Sequence, residues 1–71
     1  MVKILLWNTQ GSKENLQVLL ETAEEDILAI QEPWINPQAN NTTYCPRGSK
    51  YHLVFQPSGR AALYIYKRLP I

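Results

Sequence analysis

The stretch DILAIQEPW, residues 26–34, decides how the chain folds. It contains the apolar run Ile27–Ile30, whose length fits a strand of a sheet. Gln31 and Glu32 end the run, and Pro33 opposes its continuation because proline has no backbone N–H to give to a ladder. The stretch therefore predicts a short strand that ends in two polar side chains.

A strand and a helix precede this stretch. Lys3–Asn8 is predicted to be a strand, and its continuous apolar run Ile4–Trp7 is typical of a strand covered on both faces. Gly11 breaks the strand, and Ser12 is a suitable N-cap for a helix that ends near residue 24 or 25. Apolar residues recur along one face of this helix at Leu16, Leu19, Leu20 and Ala23. Strand, helix and strand form a βαβ unit with parallel strands and a right-handed crossover.

The second half of the chain predicts a loop and a hairpin. Residues 35–50 are rich in Pro, Asn and Thr, which favour turns. Tyr51–Gln56 and Arg60–Tyr66 are two strands, joined in an antiparallel hairpin by the turn Pro57–Gly59. The fold class is therefore α/β: a βαβ unit followed by a β-hairpin, in a mixed sheet with one covering helix.

The faces of the predicted sheet are unequally covered. Alternation puts Leu53 and Phe55 on one face of the first hairpin strand. One helix covers one face of the sheet only, although Ile4–Trp7 calls for cover on both, so another sheet, more helices or a partner chain is expected. At least one strand edge is also open, which favours self-association.

Composition narrows the class of protein. The chain has 71 residues, 45% hydrophobic and 18% charged, which is typical of one globular domain. A net charge of +1 neither requires nor excludes a nucleic-acid partner. No apolar stretch approaches the roughly 20 residues of a membrane span, and no secretory signal is recognisable, so we expect an intracellular protein, nuclear or cytoplasmic. Cys45 is the single cysteine and is interpreted as a free loop thiol.

Two polar side chains mark the ends of the predicted parallel strands. Asn8 ends the first strand and Glu32 ends the second. Neighbouring strands lie about 4.8 Å apart, and ligands of open α/β sheets bind beyond the carboxyl ends of the strands. A carboxylate, an amide and water suit Mg²⁺. Taken by itself, a glutamate at a strand end is more often a solvated surface group.

The amino-acid sequence of these segments resembles that of the endonuclease/exonuclease/phosphatase family. ILLWNTQG at residues 4–11 is similar to the opening strand of that family, which ends in Trp-Asn and is followed by Gly. DILAIQEPW at residues 26–34 is similar to its Asp-Ile-Leu-Ala-Leu/Ile-Gln-Glu strand, and GRAALYI at residues 59–65 to a later apolar strand. The Gln-Glu-Pro-Trp form looks most like endonuclease domains of non-long-terminal-repeat retroelements and their reverse-transcriptase-linked relatives.

The resemblance implies a fold and a chemistry. It makes residues 1–71 the amino-terminal portion of a single incomplete domain, part of a DNase I-like α/β sandwich. Such a domain is a Mg²⁺-dependent phosphodiesterase, with Mn²⁺ as an alternative metal. In the retroelement type the substrate is DNA, while other members of the family cleave RNA, inositol phosphates or sphingolipid head groups, so the substrate stays open. Glu32 matches the metal-binding glutamate and Asn8 the asparagine at the phosphate, so both are candidate catalytic residues. Gln31 could orient Glu32, but strand alternation points it to the opposite face and favours a packing or loop-bonding role.

The chain also departs from the family pattern. Gln10 stands where many members have a charged residue. The general-base aspartate, the Asp-x-Asn pair, the catalytic tyrosine region and the closing Asp-His pair come from downstream segments, and His52 lies in no matching motif. We therefore expect the 71-residue chain to be inactive alone. Two alternatives stay open: a non-catalytic α/β binding or interaction module, and a decayed, truncated gene product.

Other side chains suit nucleic acid less specifically. Trp34 and Tyr44 could stack on bases, although partly buried structural aromatics are the simpler interpretation. Five cations could contact phosphates, or be scattered surface charges: Arg47, Lys50, Arg60, Lys67 and Arg68.

Overall fold

The structure, a computed structural model, describes residues 1–55 and 60–68. It contains one α-helix, α1 (Lys13–Thr22), and six strands within these residues. The strands are β1 (Ile4–Asn8), β2 (Ile27–Gln31), β3 (Ile35–Asn36), β4 (Thr42–Thr43), β5 (Tyr51–Phe55) and β6 (Ala61–Tyr66).

Four of the strands form one mixed sheet in the order β1-β2-β6-β5. β1 and β2 are parallel, with Ile4 opposite Ile27 and Asn8 opposite Gln31. β6 runs antiparallel to both β2 and β5. The predicted mixed α/β sheet with a parallel βαβ unit and an antiparallel strand pair is therefore confirmed.

The helix begins where the sequence predicts. The Ser12 hydroxyl accepts a hydrogen bond from the Asn15 N–H at 3.1 Å, which satisfies one of the unpaired donors of the first turn. The helix ends at Thr22, about one half-turn earlier than predicted, because Ala23 is already extended. The Asp26 N–H donates to the Lys3 carbonyl at 2.9 Å, so the chain must leave the helix early to enter the sheet beside β1.

The core lies between the helix and one face of the sheet. Its buried side chains include Leu16 and Leu20 from α1, Leu28 and Ile30 from β2, and Tyr64 from β6. The predicted apolar helix face is thus confirmed.

Two buried tyrosines tie this core to the surrounding backbone. The Tyr51 hydroxyl donates to the Glu25 carbonyl, and the Tyr64 hydroxyl donates to the Tyr44 carbonyl, each at 2.5 Å. Both phenols are therefore buried with their polar ends paired, as buried tyrosines usually are.

In this structure Ile4–Trp7 is covered on one face only, as the single predicted helix implies. The side chains of Ile4 and Leu6 are 62% and 70% exposed. The reason is topological: β1 is an edge strand, and α1 meets only the opposite face of the sheet.

Two further predictions need correction. Residues 35–50 are not entirely loop, since β3 and β4 pair in a short antiparallel ribbon around the 3₁₀ turn Pro37–Ala39. Leu53 and Phe55 do not share a face, because a bulge makes them pair with the successive residues Tyr64 and Leu63 of β6. Gln56 and the predicted turn 57–59 lie outside the described residues.

The length and hydropathy of the helices were compared with those of a membrane span. Within residues 1–55 and 60–68, no helix is long and apolar enough to cross a bilayer.

Candidate functional site

Asn8 and Glu32 lie side by side at the carboxyl ends of the two parallel strands. The Asn8 side-chain amide donates to the Glu32 carboxylate, with Nδ2 and Oε2 3.0 Å apart. Both residues are exposed, so the pair faces solvent at the edge of the sheet. The predicted juxtaposition is confirmed, while the roles of the two residues stay predictions.

The backbone of Glu32 is fixed by three hydrogen bonds. Its carbonyl accepts from the Gly11 N–H at 2.7 Å and from the Thr9 hydroxyl at 2.9 Å. Its N–H donates to the Arg60 carbonyl at 2.9 Å. The backbone that carries the carboxylate is therefore held by hydrogen bonds from the β1–α1 connection on one side and to the start of β6 on the other.

The backbone conformation of Glu32 brings its carboxylate to Asn8. Asn8 and Gln31 are register partners, and partners on neighbouring strands point to the same face. Simple alternation would send the next residue, Glu32, to the opposite face. Glu32 instead adopts a left-handed conformation with φ of 50°, which L-residues rarely visit, and the chain turns at this residue. The strained turn redirects the carboxylate towards the Asn8 amide.

The orientation of the Asn8 amide is set from the other side. Its Oδ1 accepts from the Gln10 N–H at 2.7 Å, so its Nδ2 faces Glu32. Gln10 and Gly11 are both left-handed, with φ of 54° and 71°. Glycine adopts this conformation without steric cost, which explains why Gly11 follows Gln10 at the point where the chain turns from β1 towards the helix.

One carboxylate oxygen at this site is available to a hard divalent cation. One Glu32 oxygen is occupied by Asn8, and the other makes no hydrogen bond with any residue in ranges 1–55 and 60–68. Mg²⁺ commonly takes only one or two protein carboxylates and keeps several waters, so Glu32 with water is a chemically suitable start of a site. No group of three or more His, Cys, Asp or Glu side chains with metal-site geometry occurs in the described part of the chain.

Two other polar residues considered from the sequence have different positions. Gln31 is exposed and lies on the face of Asn8, which does not support a packing role, whereas its carbonyl accepts a hydrogen bond from the Thr9 N–H at 3.1 Å just after β1. His52 pairs with Ile65, which in turn pairs with Ile27 at the far end of β2. His52 is therefore remote from Asn8 and Glu32, in agreement with its exclusion from the site.

The five cations separate into two groups. Only Arg60 adjoins the site through its backbone, since its carbonyl binds Glu32. Lys67 instead joins Arg47 and Lys50 at the other end of β6, where its side chain donates to the Arg47 carbonyl at 3.1 Å and its N–H to the Lys50 carbonyl at 2.8 Å. Arg68 follows Lys67 and is exposed.

Sequence reasoning missed one cation beside the site. The ammonium of Lys13 lies 4.9 Å from the centre of the Trp34 ring and 5.7 Å from the centre of the Tyr44 ring. Its position two residues after Gly11 was the available signal, because that segment leads directly from the Asn8 turn into the helix.

Comparisons with known proteins add no independent assignment. No protein-family profile, no curated protein and no solved structure matches the chain.

Proposed function

We propose that this chain supplies the metal-binding and phosphate-binding edge of a Mg²⁺-dependent phosphodiesterase that acts on DNA. In this proposal the four-stranded sheet is part of a DNase I-like α/β sandwich of the endonuclease/exonuclease/phosphatase type. Glu32 holds the metal and Asn8 positions the phosphate.

One observation supports the proposal above the others: the 3.0 Å contact between the Asn8 amide and the Glu32 carboxylate. A solvated strand-end glutamate needs no left-handed backbone and no amide directed at it. Here both features occur together, and non-glycine residues held at positive φ concentrate at functional sites. The resemblance of the two strand-end sequences to the family and the contact between the strand ends both point to Asn8 and Glu32.

The two side chains have complementary chemical roles. Asn8 uses one amide N–H to orient the carboxylate, and its second N–H is suited to a phosphate oxygen. Glu32 supplies negative charge for the metal. When bound, a divalent metal neutralises the charge that develops on the oxygen leaving a phosphodiester. The group that deprotonates the attacking water is assigned to no residue of this chain.

The metal-binding part of the proposal is tested by Mn²⁺ titration of the ¹⁵N-labelled chain. We expect paramagnetic broadening centred on the amide signals of residues 8 and 32. Glu32→Gln removes the only carboxylate of the pair and should reduce this broadening to background. Asn8→Ala removes a neutral group and should weaken it less than Glu32→Gln does.

A matched control uses the acidic segment after the helix. Glu24 is an exposed glutamate of the segment Glu24–Asp26, next to the far end of β1, so Glu24→Gln removes the same charge away from the site. This variant should leave the broadening at residues 8 and 32 unchanged. Broadening centred on residues 24–26, and unaffected by Glu32→Gln, would contradict the proposal.

A second candidate function is a non-catalytic interaction module. It is favoured by the exposed apolar side chains on the face of the sheet away from the helix, among them Ile4, Leu6 and Phe55. The Mn²⁺ titration also separates this candidate from the first, because an interaction module gives no reason for a metal to bind at Glu32.

A further inference from the structure

The short ribbon of β3 and β4 places two aromatic side chains opposite each other. Ile35 pairs with Thr43 in this ribbon. Trp34 immediately precedes Ile35 and Tyr44 immediately follows Thr43, so the antiparallel register brings Trp34 and Tyr44 to the same end of the ribbon. The β3–β4 pairing therefore holds the two aromatic residues close to each other.

Lys13 occupies the space between helix and ribbon and contacts both rings. Its ammonium is 4.9 Å from the Trp34 ring centre and 5.7 Å from the Tyr44 ring centre, within the range of cation–π attraction. No carboxylate forms a salt bridge or hydrogen bond with Lys13 anywhere in residues 1–55 and 60–68. The rings hold the lysine in place while its charge stays unneutralised, which suits an anionic ligand.

The ring positions are anchored to the core. The Tyr44 carbonyl accepts the hydroxyl of Tyr64, a residue with no exposed surface. Thr43, before Tyr44, and Pro33, before Trp34, are also buried. The rings themselves are half-buried and line, with Lys13, a cavity of about 360 Å³. A planar group can therefore meet ring surface that solvent reaches, on a support that folding has already ordered.

This cluster adjoins the Asn8–Glu32 pair through the backbone. Gly11, two residues before Lys13, donates its N–H to the Glu32 carbonyl at 2.7 Å. Trp34 follows Glu32 by two residues. A strand of nucleic acid lying at Glu32 would thus meet Lys13 and the two rings next.

We propose that Lys13, Trp34 and Tyr44 form a binding subsite for one nucleotide of a single-stranded or locally unpaired nucleic acid. Lys13 binds the phosphate, and the two rings stack on the base. The placement of this nucleotide next to the reacting phosphate rests on the proposed function, whereas the subsite itself needs no metal. The subsite makes the substrate a polymer, because a small phosphoester would offer no second nucleotide.

The subsite is tested by anisotropy of a fluorescent oligothymidine in chelator, so that metal binding at Glu32 does not contribute. Lys13→Ala should weaken binding about three- to tenfold and lower the salt dependence by about 0.7 in the logarithmic slope, as expected for one lost phosphate contact on a single strand. Lys13→Arg should restore binding, because arginine keeps both the charge and the contact with aromatic rings.

Lys3→Ala is the matched control for charge. Lys3 is exposed at the opposite end of β1, and the hydrogen bonds of Lys3 involve its backbone only, so the variant removes one positive charge without touching the subsite. It should change the affinity less than twofold. Equal weakening by Lys3→Ala and Lys13→Ala would overturn the subsite, since it would show unspecific charge attraction.

Stacking is tested separately with an abasic strand of the same length and charge. Trp34→Ala should weaken oligothymidine binding at least fivefold and leave binding of the abasic strand unchanged, because stacking contributes about 1–3 kcal/mol per base. Tyr44→Leu tests the second ring with a side chain that still fills space. If both variants bind the two strands as the unaltered chain does, the subsite is overturned, whereas a failed Mn²⁺ titration would overturn only the metal site.

Discussion

The two faces of the four-stranded sheet are similar in sequence and opposite in environment. On the helix-covered face, Leu28 and Ile30 have at most 1% of their surface exposed. On the open face, Leu6 of the neighbouring strand is 70% exposed and Ile4 is 62% exposed. Both faces carry aliphatic side chains, but α1 packs against one of them only.

This difference shows that apolar character and burial are separate properties. Transfer of apolar surface from water stabilises the fold only where a second layer removes that surface from solvent. The covered face is stabilised by α1 and by the hydroxyls of two buried tyrosines. On the open face, Ile4 and Leu6 of the edge strand β1 gain little from burial, and β1 stays an unprotected edge.

The largest effect is expected from truncation of the covered face. Leu28→Ala should lower the free energy of unfolding by about 2–5 kcal/mol, because it removes buried methyl groups and leaves a cavity among the side chains of the core. Leu6→Ala, the same substitution on the adjacent strand, should cost far less. Chemical denaturation of both variants measures the comparison, and equal losses would show that the open face is covered in solution.

Alkaline pH should weaken the same covered face. Burial raises the pKa of Tyr51 from 10.0 to about 12, with the nearby Glu25 carboxylate adding to the effect, and burial likewise raises the pKa of Tyr64 to about 12. The folded chain therefore holds these protons more tightly than the unfolded chain. Their stabilisation is complete below pH 10 and is lost as the pH rises from 10 towards 12.

This loss is measured by denaturation at a series of pH values. Tyr64→Phe removes one of the two ionisable groups, so its stability should fall less steeply above pH 10 than that of the unaltered chain. Parallel pH profiles for the two proteins would refute the assignment to Tyr64.

A smaller effect is expected at the start of the covering helix. Ser12→Ala removes the acceptor of the Asn15 N–H and should lower the free energy of unfolding by about 1 kcal/mol. Ser12→Asp keeps an acceptor at the N-cap and should retain the stability. Helix content from circular dichroism during thermal unfolding reports both variants, and a neutral Ser12→Ala would contradict the capping role.

The smallest stability change is expected on the open face. Leu6→Ser should alter the free energy of unfolding by no more than about 0.5 kcal/mol, as exposed substitutions usually do. It should nevertheless reduce self-association, which we expect from the apolar face and the open edge of β1. Analytical ultracentrifugation over a range of concentrations tests this. If the unaltered chain stays monomeric throughout, the expected self-association is contradicted.

Much of the architecture could be predicted from local patterns. Helix periodicity identified the buried Leu16 and Leu20, and Ser12 marked the N-cap. Alternation failed at Leu53 and Phe55, because a bulge depends on the register between β5 and β6 and leaves no mark in the period of one strand. The β3–β4 ribbon was missed because two-residue strands are too short to show a period.

The sequence by itself determined which two polar side chains end the parallel strands. Apolar runs that end in Asn8 and Glu32, separated by one helix, place both residues at the same edge of a parallel pair, since a βαβ connection leaves the strands no other direction. The amino-acid sequence of these runs also resembles that of a phosphodiesterase family. These properties depend on residue type and order along the chain, which the sequence contains in full.

Only the tertiary structure decided how the site is assembled. The left-handed turn at Glu32 is stabilised by partners from distant segments, Gly11 and Arg60, and no local preference of a glutamate would produce it. The same holds for Lys13 between Trp34 and Tyr44, which are brought together by the pairing of β3 with β4 and by the position of the helix. Contacts between residues 20 or more positions apart depend on packing, and packing is a property of the whole fold.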